Sequence, residues 1–105
     1  MLRRNINSVY IDPTLVNYIV NIVQQTRTSK RVLLGASPRA SVAMMQASKA
    51  FAVLQGRDFV IPEDVRFVTP SILQHRMIIT AEAEMEGFTP LKVTQRLIDK
   101  VEVPK

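Results

Sequence analysis

Apolar residues return every three or four positions along much of this chain, and each such stretch opens at a proline. In the first, Leu15, Val16, Ile19, Val20, Ile22 and Val23 alternate with Asn17, Asn21, Gln24 and Gln25, the pattern of a helix with one buried face. Asp12-Pro13-Thr14 supplies its start, an N-cap carboxylate followed by a proline where the missing N–H costs nothing. This helix is expected to end near Arg27. A second start at Ser37-Pro38 leads into Ala40, Val42, Ala43, Met44, Ala47, Ala50, Phe51, Val53 and Leu54, with Gly56 as the stop. Its alanines predict close helix packing.

A third start lies at Ile61-Pro62-Glu63-Asp64-Val65, with acids in the first turn where the helix dipole favours them, followed by Phe67 and Val68. Thr69-Pro70 is expected to break or restart it, because proline lacks the donor and crowds the preceding turn. Ile72, Leu73 and His75 belong to the piece beyond. A last helix should begin at Thr89-Pro90 and carry Leu91, Thr94, Leu97, Ile98 and Val101 on one face, with Pro104 ending it. Met77-Ile78-Ile79 and Ser8-Val9-Tyr10-Ile11 are β-branched enough to be extended and leave room for a minor strand pairing. The expected fold class is all-α, a small bundle of four to five helices.

Length and composition narrow the possibilities. A chain of 105 residues, 47% hydrophobic and 22% charged, suits one domain, residues 1–105, with enough apolar material for a core. With no cysteine, a disulfide scaffold, a thiolate zinc site and a cysteine nucleophile are excluded; a reducing, cytoplasmic setting is the default expectation. Polar residues interrupt every apolar run before it reaches membrane-spanning length. The net charge of +5 suits an anionic partner: a nucleotide, a nucleic acid or an acidic protein surface.

Little in the chain resembles an active site. Gly35, Gly56 and Gly87 are too far apart for a phosphate-cradling Walker A loop. His75 is the single histidine, so a multi-histidine metal site is excluded, and a structural role near a helix end is the simpler reading. Glu82, Glu84 and Glu86 lack the spacing of a calcium loop and read as a solvated acidic segment. The basic pairs Arg3-Arg4 and Lys30-Arg31, with the other Lys and Arg, look scattered, without the interleaved aromatics that stack on bases.

Arg39 fits a structural account less well. A cation in the first turn of a helix opposes the dipole, whereas a guanidinium beside the free N–H groups of a helix start makes a phosphate site. The alternative is that an exposed arginine there is cheap enough to be accidental.

Taken together, Leu34-Gly35-Ala36-Ser37-Pro38-Arg39-Ala40, Gly56-Arg57-Asp58-Phe59-Val60-Ile61-Pro62-Glu63-Asp64-Val65, His75-Arg76 and Glu82-Ala83-Glu84-Met85-Glu86-Gly87 resemble the C-terminal lid subdomain of MoxR-family AAA+ ATPases. The resemblance runs from about Val9 to Pro104 in the family's order and spacing. It implies that Arg39 is the sensor 2 arginine, which reaches the γ-phosphate of ATP held by a neighbouring core. Thr26-Arg27 also matches, without an assigned role, and Ala81 stands where proline is commoner.

The resemblance further implies that the Walker A, Walker B and sensor 1 elements lie on an α/β core N-terminal to this lid, so the chain is a piece of a longer ATPase. ATP and Mg2+ then belong to the parent protein, and the fragment alone would bind neither and be inactive. The implied partners are the core of the same chain, neighbouring subunits of a hexameric ring, and an unknown client complex matured in a chaperone-like way. The lid would close over ATP, and Tyr18 or Ile19 could contact adenine, although apolar residues at helical spacing are more often core. Two other readings are a free-standing basic helical module that binds nucleic acid and a lid used as a docking surface for a partner protein. Walker motifs upstream in the parent reading frame would decide for the ATPase.

Overall fold

A computed structural model describes residues 8–104. The Arg3-Arg4 pair lies outside them. Helix α1, Pro13–Thr28, starts where the sequence puts it: the Asp12 carboxylate accepts the Thr14 N–H at 2.9 Å and the Thr14 hydroxyl at 2.8 Å. Its buried face is Leu15, Tyr18, Ile19, Ile22, Val23 and Thr26. The three-to-four repeat is thus real, but Tyr18 and Thr26 join the core while Val20 points outward.

Strand β1, Val32–Leu34, lies outside the two segments expected to be extended. It pairs antiparallel with β2, Ile78–Ile79, in the register Val32↔Ile79 and Leu34↔Ile78, so one extra residue bulges on β1. The strand pairing expected of residues 8–11 and 77–79 therefore goes to other partners. Tyr10 instead forms a parallel bridge to Phe59, its N–H donating to Asp58 O at 2.8 Å and its carbonyl accepting from Val60 N–H at 2.9 Å. Extended backbone must find partners, but propensity says nothing about which.

Helix α2, Arg39–Leu54, begins one residue later than a Ser37 cap would put it. Pro38 occupies the cap position, no side chain caps the start, and a tight turn carries the chain in through Ala40 N–H to Ser37 O and Ser41 N–H to Pro38 O. Gly56, at φ 79°, ends the segment in the left-handed conformation open to glycine. The core side of α2 is Ala40, Met44, Ser48 and Ala52, whereas Val42 and Leu54 are 55% and 80% exposed. The small residues do pack closely, with α2 lying against α1 and α3.

Helix α3, Pro62–Leu73, passes through Pro70 without a break. Proline there removes one backbone bond near the helix end, while the Thr69 hydroxyl donates to Val65 O at 2.6 Å and fully buried Leu73 anchors the turn beyond. Phe67 is 66% exposed but stacks on Phe51 of α2, ring centroids 4.5 Å apart. The acidic stretch forms a short helix, α4, Ala81–Met85, capped by the Thr80 hydroxyl and with its glutamates exposed. Helix α5, Pro90–Lys100, is capped by Thr89.

The described residues therefore form five helices and one two-stranded sheet, a mostly helical bundle with a minor strand pairing. One apolar cluster gathers α1, α2, α3 and the end of α5; a second joins Met77, Ile79 and Ala83 to Val93 and Leu97 of α5, with Val32 and Phe88 against it. Arg66 ties three helices together, donating to Asp99 on α5 at 3.0 Å and to the Tyr18 hydroxyl on α1 at 3.5 Å, and these bonds raise its pKa further.

Candidate functional site

The last turn of α1 and the loop that leads into α2 are fastened together. The buried Thr26 hydroxyl donates to Val23 O at 2.6 Å and accepts the Ala36 N–H at 3.0 Å. Gly35 lies directly against the same turn: a Cβ there would sit 2.7 Å from Thr26 O and 2.9 Å from Arg27 Cα. Only glycine allows the two backbones to approach this closely. Thr26 and Gly35, matched to the family without a local reason, are therefore the two halves of one joint. No periodicity signalled it, since the partners are ten residues apart.

That joint sets the position of Arg39, the first residue of α2. Its side chain is exposed and, among the described residues, has no hydrogen bond or ion pair. It projects from a helix start that no side chain caps, so neutral N–H dipoles and a full positive charge share one place. An oxyanion would meet both. His75 is exposed just beyond α3 and, among the described residues, makes no hydrogen bond or ion pair, and Tyr18 and Ile19 are buried to 1% and 0% exposure. Adenine contact by either would require opening the core, so neither side chain is open to a nucleotide here.

The Gly56–Val65 segment is a brace. Arg57 holds Asp64 by two hydrogen bonds of 2.6 and 2.7 Å, and Asp64 Oδ2 also accepts the Ile61 N–H at 2.9 Å, capping α3 from within. The Asp64 hydrogen bond is the chief cause that raises the Arg57 pKa beyond its ordinary value. Arg57 also donates to Phe59 O at 3.2 Å, and its guanidinium lies 5.9 Å from the Phe59 ring. These contacts fix the turn that leads into α3. Among the described residues no group of His, Cys, Asp or Glu is placed to hold a metal ion, and no helix is long and apolar enough to cross a membrane.

Comparison with known proteins gives the class of this helical bundle: the chain belongs to the AAA lid domain family, whose model matches residues 24–101. Its relatives include proteins named MoxR. It is 35% identical to the Mycobacterium tuberculosis chaperone MoxR1 across 91% of its length, and 42% identical to the Bacillus subtilis protein YeaC across 98%. The crystal structure of a candidate ATPase from Cytophaga hutchinsonii superimposes with a TM-score of 0.87 at 35% identity, covering 95% of this chain. The chain spans about a third of these proteins, 28% of MoxR1, 32% of YeaC and 33% of the Cytophaga chain.

Proposed function

We propose that residues 1–105 are one lid domain of a longer MoxR-type ATPase and that Arg39 reads the terminal phosphate of ATP held by the core of that same protein. The observation that carries this reading is the exposed guanidinium of Arg39, without a hydrogen bond or ion pair among the described residues, at an uncapped helix start next to a loop locked by Thr26 and Gly35. A planar guanidinium offers paired N–H donors to phosphoryl oxygens, and charge there is stabilised most as the phosphoryl group departs. ATP supplies that group and Mg2+ its counter-charge, both bound by the core. Because only ATP presents a γ-phosphate, the lid position would report the nucleotide state.

Exposed Leu33, Leu34 and Ile78 on the small sheet, next along the chain from the Arg39 loop, support a face that packs against the core. By relation to MoxR1, which is named a chaperone, the whole protein would couple ATP hydrolysis to maturing or assembling partner complexes in the cytoplasm, as a ring. The hexamer and the client are part of this proposal.

The test is paired. In the whole ATPase, Arg39→Ala should lower hydrolysis by roughly ten- to a thousandfold, and Arg39→Lys should restore part of it, since an ammonium keeps the charge but loses the two-pronged contact. The 105-residue chain should melt unchanged in both variants and hydrolyse no ATP. Unfolding of Arg39→Ala would make the residue structural, and unchanged hydrolysis in a stable variant would end the sensor reading.

A further inference from the structure

Two arginines share one ring on the face formed by the end of α4 and the start of α5. The Arg31 guanidinium lies 4.5 Å and the Arg96 guanidinium 5.3 Å from the centroid of Phe88, so the two cations are no more than about 10 Å apart. Phe88 is itself held against the second apolar cluster, which fixes the ring under the two guanidiniums. Sequence alone scattered these residues; the fold collects them.

Their bonding differs from that of Arg57 and Arg66. Arg57 and Arg66 each hold a carboxylate, whereas neither Arg31 nor Arg96 makes a side-chain hydrogen bond or ion pair among the described residues. A cation–π contact engages the charge of a guanidinium and fills none of its N–H donors with an acceptor oxygen. Lys92 adds an ammonium to the Arg96 side, in a surface hollow of about 460 Å³, and Arg31 opens with Lys30 and Lys100 onto a second of about 520 Å³, where three cations outnumber the two carboxylates of Glu82 and Glu86. Two like charges held this close repel, and an anion seated between them relieves that repulsion while filling unused donors.

We propose that the Arg31–Phe88–Arg96 cluster is a docking site for a short acidic segment of a partner protein, its carboxylates held by the two guanidiniums. This does not depend on the role of Arg39. A peptide is favoured over nucleic acid for two reasons on this face. The Phe88 ring is already occupied by cations and is not the free stacking platform that single strands use. Glu86 and Asp99 border the hollow and would oppose a long phosphate track while leaving room for one or two carboxylates. Charge complementarity of this kind sets register and encounter rate.

The experiment is an NMR titration of the 105-residue chain with hexaglutamate at ~150 mM salt, beside a single-stranded oligonucleotide of similar charge. The expected result is saturable shifts centred on Phe88 and its flanking residues, weakened at least about tenfold in Arg31→Gln/Arg96→Gln. Lys49→Gln on α2 should leave binding as it was. Arg96→Gln alone, at an exposed position, reads the same effect should the double variant melt early. Hexaglutamate that fails to bind, or binds the double variant equally well, overturns the proposal; so does an oligonucleotide that binds the same residues more tightly, which would make the face a nucleic-acid surface.

Discussion

The hydroxyl of Thr26 accepts the backbone N–H of Ala36 at 3.0 Å, with both residues buried and only Ser37 and Pro38 remaining before Arg39. A single side chain on α1 thus determines where α2 begins. The same hydroxyl donates to Val23 O, so both its roles are filled.

Thr26→Val keeps the shape of the side chain and removes both bonds, leaving a buried N–H on Ala36 without an acceptor. The cost should be about 1–3 kcal/mol in denaturant unfolding, with much of it recovered in Thr26→Ser. Hydrogen exchange at the Ala36 amide should accelerate in the valine variant; a slow amide there would show that the tie is dispensable.

Gly35→Ala tests the other half of the joint. Its Cβ would press on backbone atoms of Thr26 and Arg27 at 2.7 and 2.9 Å, and backbone cannot swing aside as a side chain can. A loss of about 1–3 kcal/mol is expected, as for overpacked sites. A melting temperature at or above that of the parent chain would mean that the loop does not lie this close.

Removing the Asp64 carboxylate should be worse than removing an ordinary surface acid. Asp64 is fully buried, holds Arg57 twice and caps the Ile61 N–H, so Asp64→Ala leaves several donors unfilled. About 2–4 kcal/mol should be lost, measured by urea unfolding, and Asp64→Asn should lie between the two.

The cap of α1 should be sensitive to acid. The Thr14 N–H, then its hydroxyl, hold the Asp12 carboxyl below its ordinary value of 3.8. The folded state therefore favours the carboxylate: its stabilisation is complete above about pH 4 and fades as pH falls through the lower folded value. Amide exchange at Thr14 should quicken only in that acid range, and Asp12→Asn, which keeps a capping oxygen without titrating, should flatten the response.

Helix starts and stops were legible in the sequence because their causes are local. Asp12-Pro13, Pro62 and Thr89-Pro90 each act on the amides of the next turn, and Gly56 ends α2 through its own backbone freedom. Arg39 could be singled out for the same reason, since a cation at a helix start is anomalous whatever surrounds it. The tertiary structure decided the rest. Which strand Ile78-Ile79 pairs with, whether α3 survives Pro70, and whether Tyr18 or Val20 turns inward depend on surfaces that meet only after collapse. The Thr26–Ala36 bond, the space that Gly35 leaves open and the gathering of Arg31 and Arg96 on Phe88 are of this second kind. Each is a contact between segments distant in sequence, and no residue's own propensity encodes its partner.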